Sequence, residues 1–420
     1  MKYQRYPAYK DSGVEWIGEI PEHWKLTKLK SVCHFNYGDS LPTEDRLEGE
    51  FPVFGSNGII DYNSLANTGS PTIIIGRKGS YGKLFYSSLS GFAIDTTFFV
   101  NEKTSKVNLK WLYYVLGILH LDMYSLDTGV PGLSRENAYE EIIVLPSNEE
   151  QFLISNFLDS RTNRIDILIS KQHNMIELLK EKRQAIITNA VTKGLDPNVP
   201  MKDSGVEWIG EIPEHWEIKP LFSLMRESKT KNTEDENLEV LSLSYGNIII
   251  RDVDNNFGLL PESFATYQVV DKGNIILRLT DLQNDKKSLR VGLVKKRGII
   301  TSAYVCLQTS VDLIPEFAYF MLHSYDIRKV FYGFGGGVRQ SMTFKDLKHL
   351  PLVYPSTDEQ IQIIEHIKTE IDKLDILILK QEKVIELLRE YRTSLISHAV
   401  TGKIDVRSFA VPINLNSTRT

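Results

Sequence analysis

Two stretches of the chain carry apolar residues at a spacing that only a long helix explains. In the first, Leu158, Ile165, Gln172, Leu179 and Ile186 recur every seven residues. Leu168 and Met175 supply part of a second, d-type series, which Lys182 breaks. In the later stretch, Ile367, Leu374, Gln381, Leu388 and Leu395 repeat the first series, and Leu377, Val384 and Tyr391 fill the other. Sustained heptad spacing predicts a coiled-coil seam, and two such helices in one chain are natural partners. Gln172 and Gln381 occupy the same seam position. Each is either a buried polar residue that sets register or a residue at a wet edge. Both stretches open with Pro-Ser and an acid three residues after the serine, Ser147 with Glu150 and Ser356 with Glu359. That is a capping box, which satisfies free N–H groups at a helix start. Residues 149–192, at 1.5 Å each, give a rod of roughly 65 Å, long enough to hold two domains apart.

Between the helices the pattern changes to short β-prone runs bounded by Gly and Ser. Thr72–Ile75, Lys83–Tyr86 and Thr96–Val100 predict strands in the first region. A helix is expected from Asn108, as N-cap, through His120. In the second region Val240–Leu243, Asn247–Ile250, Asn274–Leu279 and Ala303–Leu307 predict strands, and a helix is expected after Pro315. Each region then has a Gly-containing loop, 128–132 or 333–338, and a short capped helix starting at Ser134 or Thr343. The order of elements matches although the residues differ, which predicts one fold in two versions. From Arg407 to Thr420 no periodicity remains, and a loose tail is expected.

The chain is built twice. Residues 10–24 and 202–216 both read KDSGVEWIGEIPEHW, identical over fifteen positions at an offset of 192. The helical tails repeat at an offset of 209, so the second intervening region is seventeen residues longer. Repeated parts hold the same job in both halves, and the unlike parts do different jobs in equivalent places. The segments are 1–146, box and first variable domain; 147–196, central helix; 197–355, second box and variable domain; 356–405, C-terminal helix; and 406–420, tail. The fold class is α+β, with two mixed β-rich globular domains joined by two long helices in an intramolecular coiled coil of pseudo-twofold character.

Composition narrows the chemistry. The chain has 420 residues, a net charge of -5 and two cysteines, Cys33 and Cys306. This excludes a globally basic nucleic-acid coat and makes a zinc finger or disulfide scaffold unexpected. Two sparse cysteines suit a reducing cytoplasm. No secretory signal is expected at the N-terminus, and the longest apolar stretch, Trp111 to Leu121, is too short to span a bilayer. Each box nets -3, so the rest of the chain sums to +1. Basic residues must therefore cluster locally if the chain binds nucleic acid.

They do cluster. Residues 71–110 carry a local +4 and residues 272–297 a local +6. Gly76-Arg77-Lys78-Gly79-Ser80-Tyr81-Gly82 is a Gly-hinged basic loop, with Lys83 beside it. Small residues allow close backbone approach, and Arg and Lys meet phosphates or guanine edges. Arg278, Lys286, Lys287 and Arg290 stand in the second cluster, and Arg339 and Gln340 follow the later Gly run. Arginine and glutamine make bidentate contacts to G and A in the major groove. Taken singly, each cluster reads better as an ordinary solvated face. Two clusters in two equivalent domains favour nucleic-acid binding. No P-loop, GxSxG, HExxH or metal-spaced His/Cys set is present. Phe331-Tyr332-Gly333-Phe334-Gly335 fits an F-x-G-x-G methyl-donor pattern, but it follows a helical stretch, and no [DN]-P-P-[YF] sequence occurs. A binding-surface loop fits it better. His23 and His215 share one box position and read as packing residues.

The doubled D-S-G-V-E-W-I-G-E-I-P-E-H-W box, the P-S-x-x-E-Q helix start and the I-E-L-L-[KR]-E-x-R helix end resemble the specificity subunit of Type I restriction-modification systems. The resemblance runs from about residue 10 to residue 405. It implies an antiparallel arrangement of the coiled-coil helices and two target recognition domains that read the halves of a bipartite, asymmetric target in double-stranded DNA. It also implies a non-catalytic chain that docks two N6-adenine methyltransferase subunits, and restriction subunits that join them. No cofactor is expected in this chain. S-adenosylmethionine would belong to the methyltransferase partner, and ATP and magnesium to the restriction partner. A protein-interaction scaffold with two unlike domains, or a self-sufficient methyltransferase, would be separated from this by duplex binding and its salt dependence, and by a methyl-transfer assay.

Overall fold

The computed structural model describes residues 3–123, 132–232, 238–251, 264–282, 289–333 and 341–409. The chain divides into two compact units, one of residues 1–172 with 382–420, the other of residues 173–381. The divisions fall immediately after Gln172 and Gln381, so each unit contains part of both long helices.

In the first unit the box forms a hairpin, Tyr9–Asp11 antiparallel to Glu19–Pro21. Asp11 Oδ1 accepts from the amide of Gly13, whose φ of +69° needs a residue without Cβ. Ile17, Ile20 and Trp24 of the box are buried. Behind the box, Lys25–Lys28 pairs with Ile142–Leu145. The variable region builds an antiparallel sheet in the order Asn36–Tyr37, Thr97–Asn101, Thr72–Gly76, Leu84–Ser87. A second sheet joins Gly58–Asn63, Phe51–Gly55 and Phe92–Ala93. The helix Leu109–Leu116 starts where expected, its cap Asn108 accepting from the amide of Trp111 at 2.9 Å. It ends sooner than predicted, at Gly117.

The second unit repeats this order. Its box hairpin is Met201–Asp203 with Glu211–Pro213, and Glu217–Pro220 pairs with Pro351–Tyr354. The four-stranded sheet runs Met225–Ser228, Val305–Thr309, Ile275–Leu277, Val291–Leu293. The helix Pro315–Ile327 has its proline in the first turn, where no N–H is needed. Ser134 and Thr343 cap the short helices Arg135–Glu140 and Phe344–Leu347. One fold in two versions is what the structure shows.

The helix starts are the hubs of both units. Glu150 closes the capping box on Ser147, and its other oxygen accepts from His23 Nε2 at 2.9 Å and Trp24 Nε1 at 3.1 Å. Glu359 does the same with Ser356, His215 and Trp216. Burial pushes both carboxyls up, but the hydrogen bonds from the box and the serine outweigh it and hold both below the ordinary carboxylate value. The adjacent glutamines are buried: Gln151 Oε1 accepts from Asn108 N, and Gln360 Oε1 from Ile314 N. The E-Q pair therefore ties the box to the helix through its acid, and the variable region through its amide. His23 and His215 are structural, as their packing assignment implied.

The long helices run Asn148–Lys193 and Thr357–Val400. In the first unit the start of one and the end of the other meet at Trp24: Glu150 bonds its indole, and a Cβ on Gly402 would lie 2.9 Å from its ring. In the second unit Glu359 and Gly194 meet at Trp216 in the same way. The two helical segments in each unit are thus antiparallel. Leu158, Ile165, Leu374 and Leu395 are buried in the seam, while Gln172, Leu179, Ile186, Gln381 and Leu388 are half-buried.

The second seam series corrects the expectation. Leu168, Met175, Leu377, Val384 and Tyr391 are between 38% and 48% exposed. The facing series lies one residue on: Thr162, Ile169, Ile176, Arg183 and Ala190, with Ile371, Ile378, Ile385, Arg392 and Ala399. Apolar residues stand at both i+3 and i+4 here, so periodicity alone could not choose between them. Arg183 and Arg392 fill polar seam positions and bond Asp375 and Asp166, at 2.8 and 2.9 Å. The tail is corrected too. Val406 is buried, and Phe409 packs on Phe157 with ring centroids 5.0 Å apart, so the chain stays docked to the first unit at least through 409. Residues 410–420 lie outside the described residues. Among the described residues, no helix is long and apolar enough to cross a membrane.

Candidate nucleic-acid interface

In the first unit the Gly-hinged loop follows the strand Thr72–Gly76. Gly82 N donates to Gly76 O at 2.9 Å, and Gly76 N to Lys83 O at 2.8 Å, so the loop closes on itself. Gly82 has φ +76° and lies against the backbone of Asp122. The amides of Arg77 and Lys78 both donate to Thr96 O, pinning the loop to the sheet. Lys78 and Lys83 are exposed, with Lys83 Nζ donating to Asn57. Ser80 and Tyr81 are half-buried, and Tyr81 packs on the core. Arg77 is fixed on the edge of this surface. Its Nε and Nη2 donate to Asp95 O at 3.0 and 2.7 Å, and its guanidinium lies over the rings of Tyr37 and Phe98. Arg135, first residue of its short helix, also lies over Tyr37, and over Tyr139. Tyr37 and Arg135 are the residues that sequence reasoning missed. Nothing in their linear surroundings marks them, because strand pairing and a helix cap bring them together.

The second unit places unlike chemistry on the same frame. Leu133 N donates to Arg77 O, and Met342 N to Leu279 O, so Leu279 stands where Arg77 stands. Asn36 pairs with Phe99 and Ser228 with Cys306, so the next residues, Tyr37 and Lys229, correspond. Behind the helix caps, Phe344 corresponds to Arg135. Where the first unit stacks guanidinium on tyrosine, the second has an open cavity of about 510 Å³ lined by Lys229, Lys231, Tyr267, Tyr304 and Thr343.

Arg290 is a correction. Its side chain is completely buried, with Nη1 donating to the carbonyls of Arg278 and Thr280, Nη2 to that of Asp281, and Nε to the Tyr332 hydroxyl. It binds a loop into shape and cannot reach a duplex. A basic cluster in sequence does not reveal which of its members is aimed inward. Arg278 is half-buried at the strand end. Lys286, Lys287, Arg339 and Gln340 lie outside the described residues. Among the described residues, no cluster of three His, Cys, Asp or Glu could hold a metal.

The two units are duplicated frames with unlike side chains at matching edges, the architecture of a protein with two different binding faces. Comparisons with known proteins show what the chain resembles. A family model described as Type I restriction modification DNA specificity domain matches residues 21–178. The putative type I restriction enzyme MjaX specificity subunit of Methanocaldococcus jannaschii is 27% identical, the match covering 93% of this chain and 96% of that one. The MjaVIII specificity subunit of the same organism is 24% identical over 93% of this chain and 95% of its own. A solved chain from a study of complex assembly in the type I R-M system superposes with a TM-score of 0.64 at 13% identity, over 91% of this chain and 98% of that one, and supports the fold. Along nearly its whole length the chain is similar to Type I restriction-modification specificity subunits, and residues 21–178 match their DNA specificity domain.

Proposed function

We propose that each unit reads one half of a bipartite, asymmetric DNA target. The chain docks two N6-adenine methyltransferase subunits onto that target, restriction subunits join them, and the chain itself performs no catalysis. The observation that carries this reading is the pairing of one frame with two unlike edges. Arg77, Tyr37 and Arg135 stand where Leu279, Lys229 and Phe344 stand in the other unit. A frame kept twice with its edge changed suits two readers of different sequence.

Base edges supply the specificity and phosphate contacts the register. Adenine inside a duplex must be flipped out before its amino group can be methylated. The flipped base enters the partner's pocket, so S-adenosylmethionine belongs to the methyltransferase and ATP with magnesium to the restriction subunits. The reading also places this chain in the cytoplasm with its DNA.

The test is a map of methylated adenines across the genome with and without this gene. A two-part motif that disappears with the gene is the expected result. An unchanged map, together with no salt-dependent duplex binding by the purified chain, would overturn the reading in favour of a protein-binding scaffold.

A further inference from the structure

Tyr37 is 50% exposed at the edge of its sheet, and two guanidinium groups lie over its ring, Arg77 with 5.3 Å and Arg135 with 4.9 Å to the centroid. The two arginines use the same two nitrogens. Arg77 gives Nε and Nη2 to one oxygen, the carbonyl of Asp95. Arg135 gives Nε and Nη2 to one oxygen of Glu136, at 3.4 and 3.2 Å. Arg77 is pinned along its side edge to a backbone carbonyl, whereas Arg135 rests on an exposed carboxylate; in both, the guanidinium carbon lies over an aromatic ring and Nη1 carries no bond among the described residues. A pinned plane with two parallel N–H groups at its end matches the O6 and N7 acceptors of guanine. Arg77 makes no ion pair among the described residues, and the partner of Arg135 is an acid whose side chain is 72% exposed. Exposed pairs of that kind are weak and open readily to a stronger acceptor.

We propose that Arg77 and Arg135, oriented by Tyr37, are specificity-determining residues that each read a guanine in the half-site of the first unit. This rests on the reading of the chain as a DNA specificity subunit and goes further, to base and residue. Both guanidiniums lie near one ring centroid, so they are at most about 10 Å apart. At about 3.4 Å per base-pair step, forks directed side by side into one groove meet guanines no more than about three steps apart. The second unit, with Leu279 and Phe344 at these places, does not share this preference. Tyr37 is a positioning residue.

The test is the methylated-adenine map of cells carrying the intact system, with the wild-type gene or with Arg77→Lys, Arg135→Lys, Tyr37→Phe or Tyr37→Leu. Lysine keeps the charge but loses the bidentate fork. Each lysine variant is expected to turn one guanine of one half-site into an unspecified base. A preference of roughly 5- to 150-fold falls to near parity at that position, and the other half-site is unchanged. Tyr37→Leu relaxes both positions and Tyr37→Phe neither. The proposal is overturned if the wild-type motif has no two guanines within about three steps in one half. It is equally overturned if the lysine variants keep the motif and lose methylation evenly at all sites, which would assign both arginines to phosphate. A wild-type gene that governs no methylated motif would instead remove the reading beneath it.

Discussion

Replacing the hub carboxylates should weaken the two units unequally. In Glu150→Gln the amide keeps the shape, and its oxygen still accepts from Trp24 Nε1 and His23 Nε2. Those two bonds lose their charge assistance, about 1 kcal/mol each. The new NH2 then faces the backbone N–H of Ser147, which the carboxylate bonds at 3.4 Å, leaving a donor unmatched for about another 1 kcal/mol. The sum is about 3 kcal/mol. The Glu150 side chain is 8% exposed and that of Glu359 30%, so water can repair more of the loss in Glu359→Gln, and about half that cost is expected there.

Hydrogen exchange of the full chain in a urea series reads each unit through its own peptides, around Leu109–Leu116 and Pro315–Ile327. Each variant should loosen only its own unit. The pH dependence has a definite sign. Both carboxyls are held below the ordinary value of 4.5, so their stabilisation is complete above that value and is lost as pH falls through the lower folded value. The gap between wild type and variant should therefore close in acid. Equal losses in the two units, or a gap that persists at low pH, would refute the account of the hub as a charged acceptor.

Two further substitutions test the corrections made by the structure. Arg290→Met should destabilise the second unit by about 3 kcal/mol, since three carbonyls and a tyrosine hydroxyl lose this donor. Exchange in the first unit should stay unchanged, and protection in the second equal to wild type would contradict a structural role. In the seam, Ile165→Ala should cost about 2–5 kcal/mol and Leu168→Ala about 0.5 kcal/mol or less, because the first is 4% and the second 43% exposed. Urea unfolding of the two variants measures the difference, and a reversed order would restore the i+3 seam.

Most of the frame was legible because it is local. The capping serines and acids, the Asn108 and Ser134 caps and Pro315 act within one turn of helix, and each starts an element where expected. The box was visible because it repeats, and its exact partner could not be. Nothing in the linear order says that His23 and Trp24 bond an acid 126 or 127 residues away. The seam was half legible for a related reason. Leu168 and Ile169 are neighbours of similar hydrophobicity, and only the packing of the other helix distinguishes them. Composition also failed at Arg290, whose charge placed it in a basic cluster while four oxygens draw it into the core. The edge chemistry was the least legible. Arg77 was found through its glycines, but Tyr37 and Arg135 lie 40 and 58 residues from it and meet it only through the sheet and a helix cap.

The division between legible and illegible parts has a physical basis. The hubs and seam make the frame, and they use buried apolar groups and matched hydrogen bonds that tolerate little change. The edge residues are held by the frame without supporting it. Tyr37 is half exposed, and the place of Arg77 is filled by a leucine in the other unit without loss of the strand pairing around it. Substitution at such positions changes what a unit presents and leaves how it folds intact. The same separation explains how a chain of net charge -5 can bind DNA. The acidity sits in the two boxes, at -3 each, and the edge needs only a few cations in fixed planes. Direction, supplied by ring and backbone contacts, serves selectivity, while affinity for a duplex still rests on cations that meet phosphate.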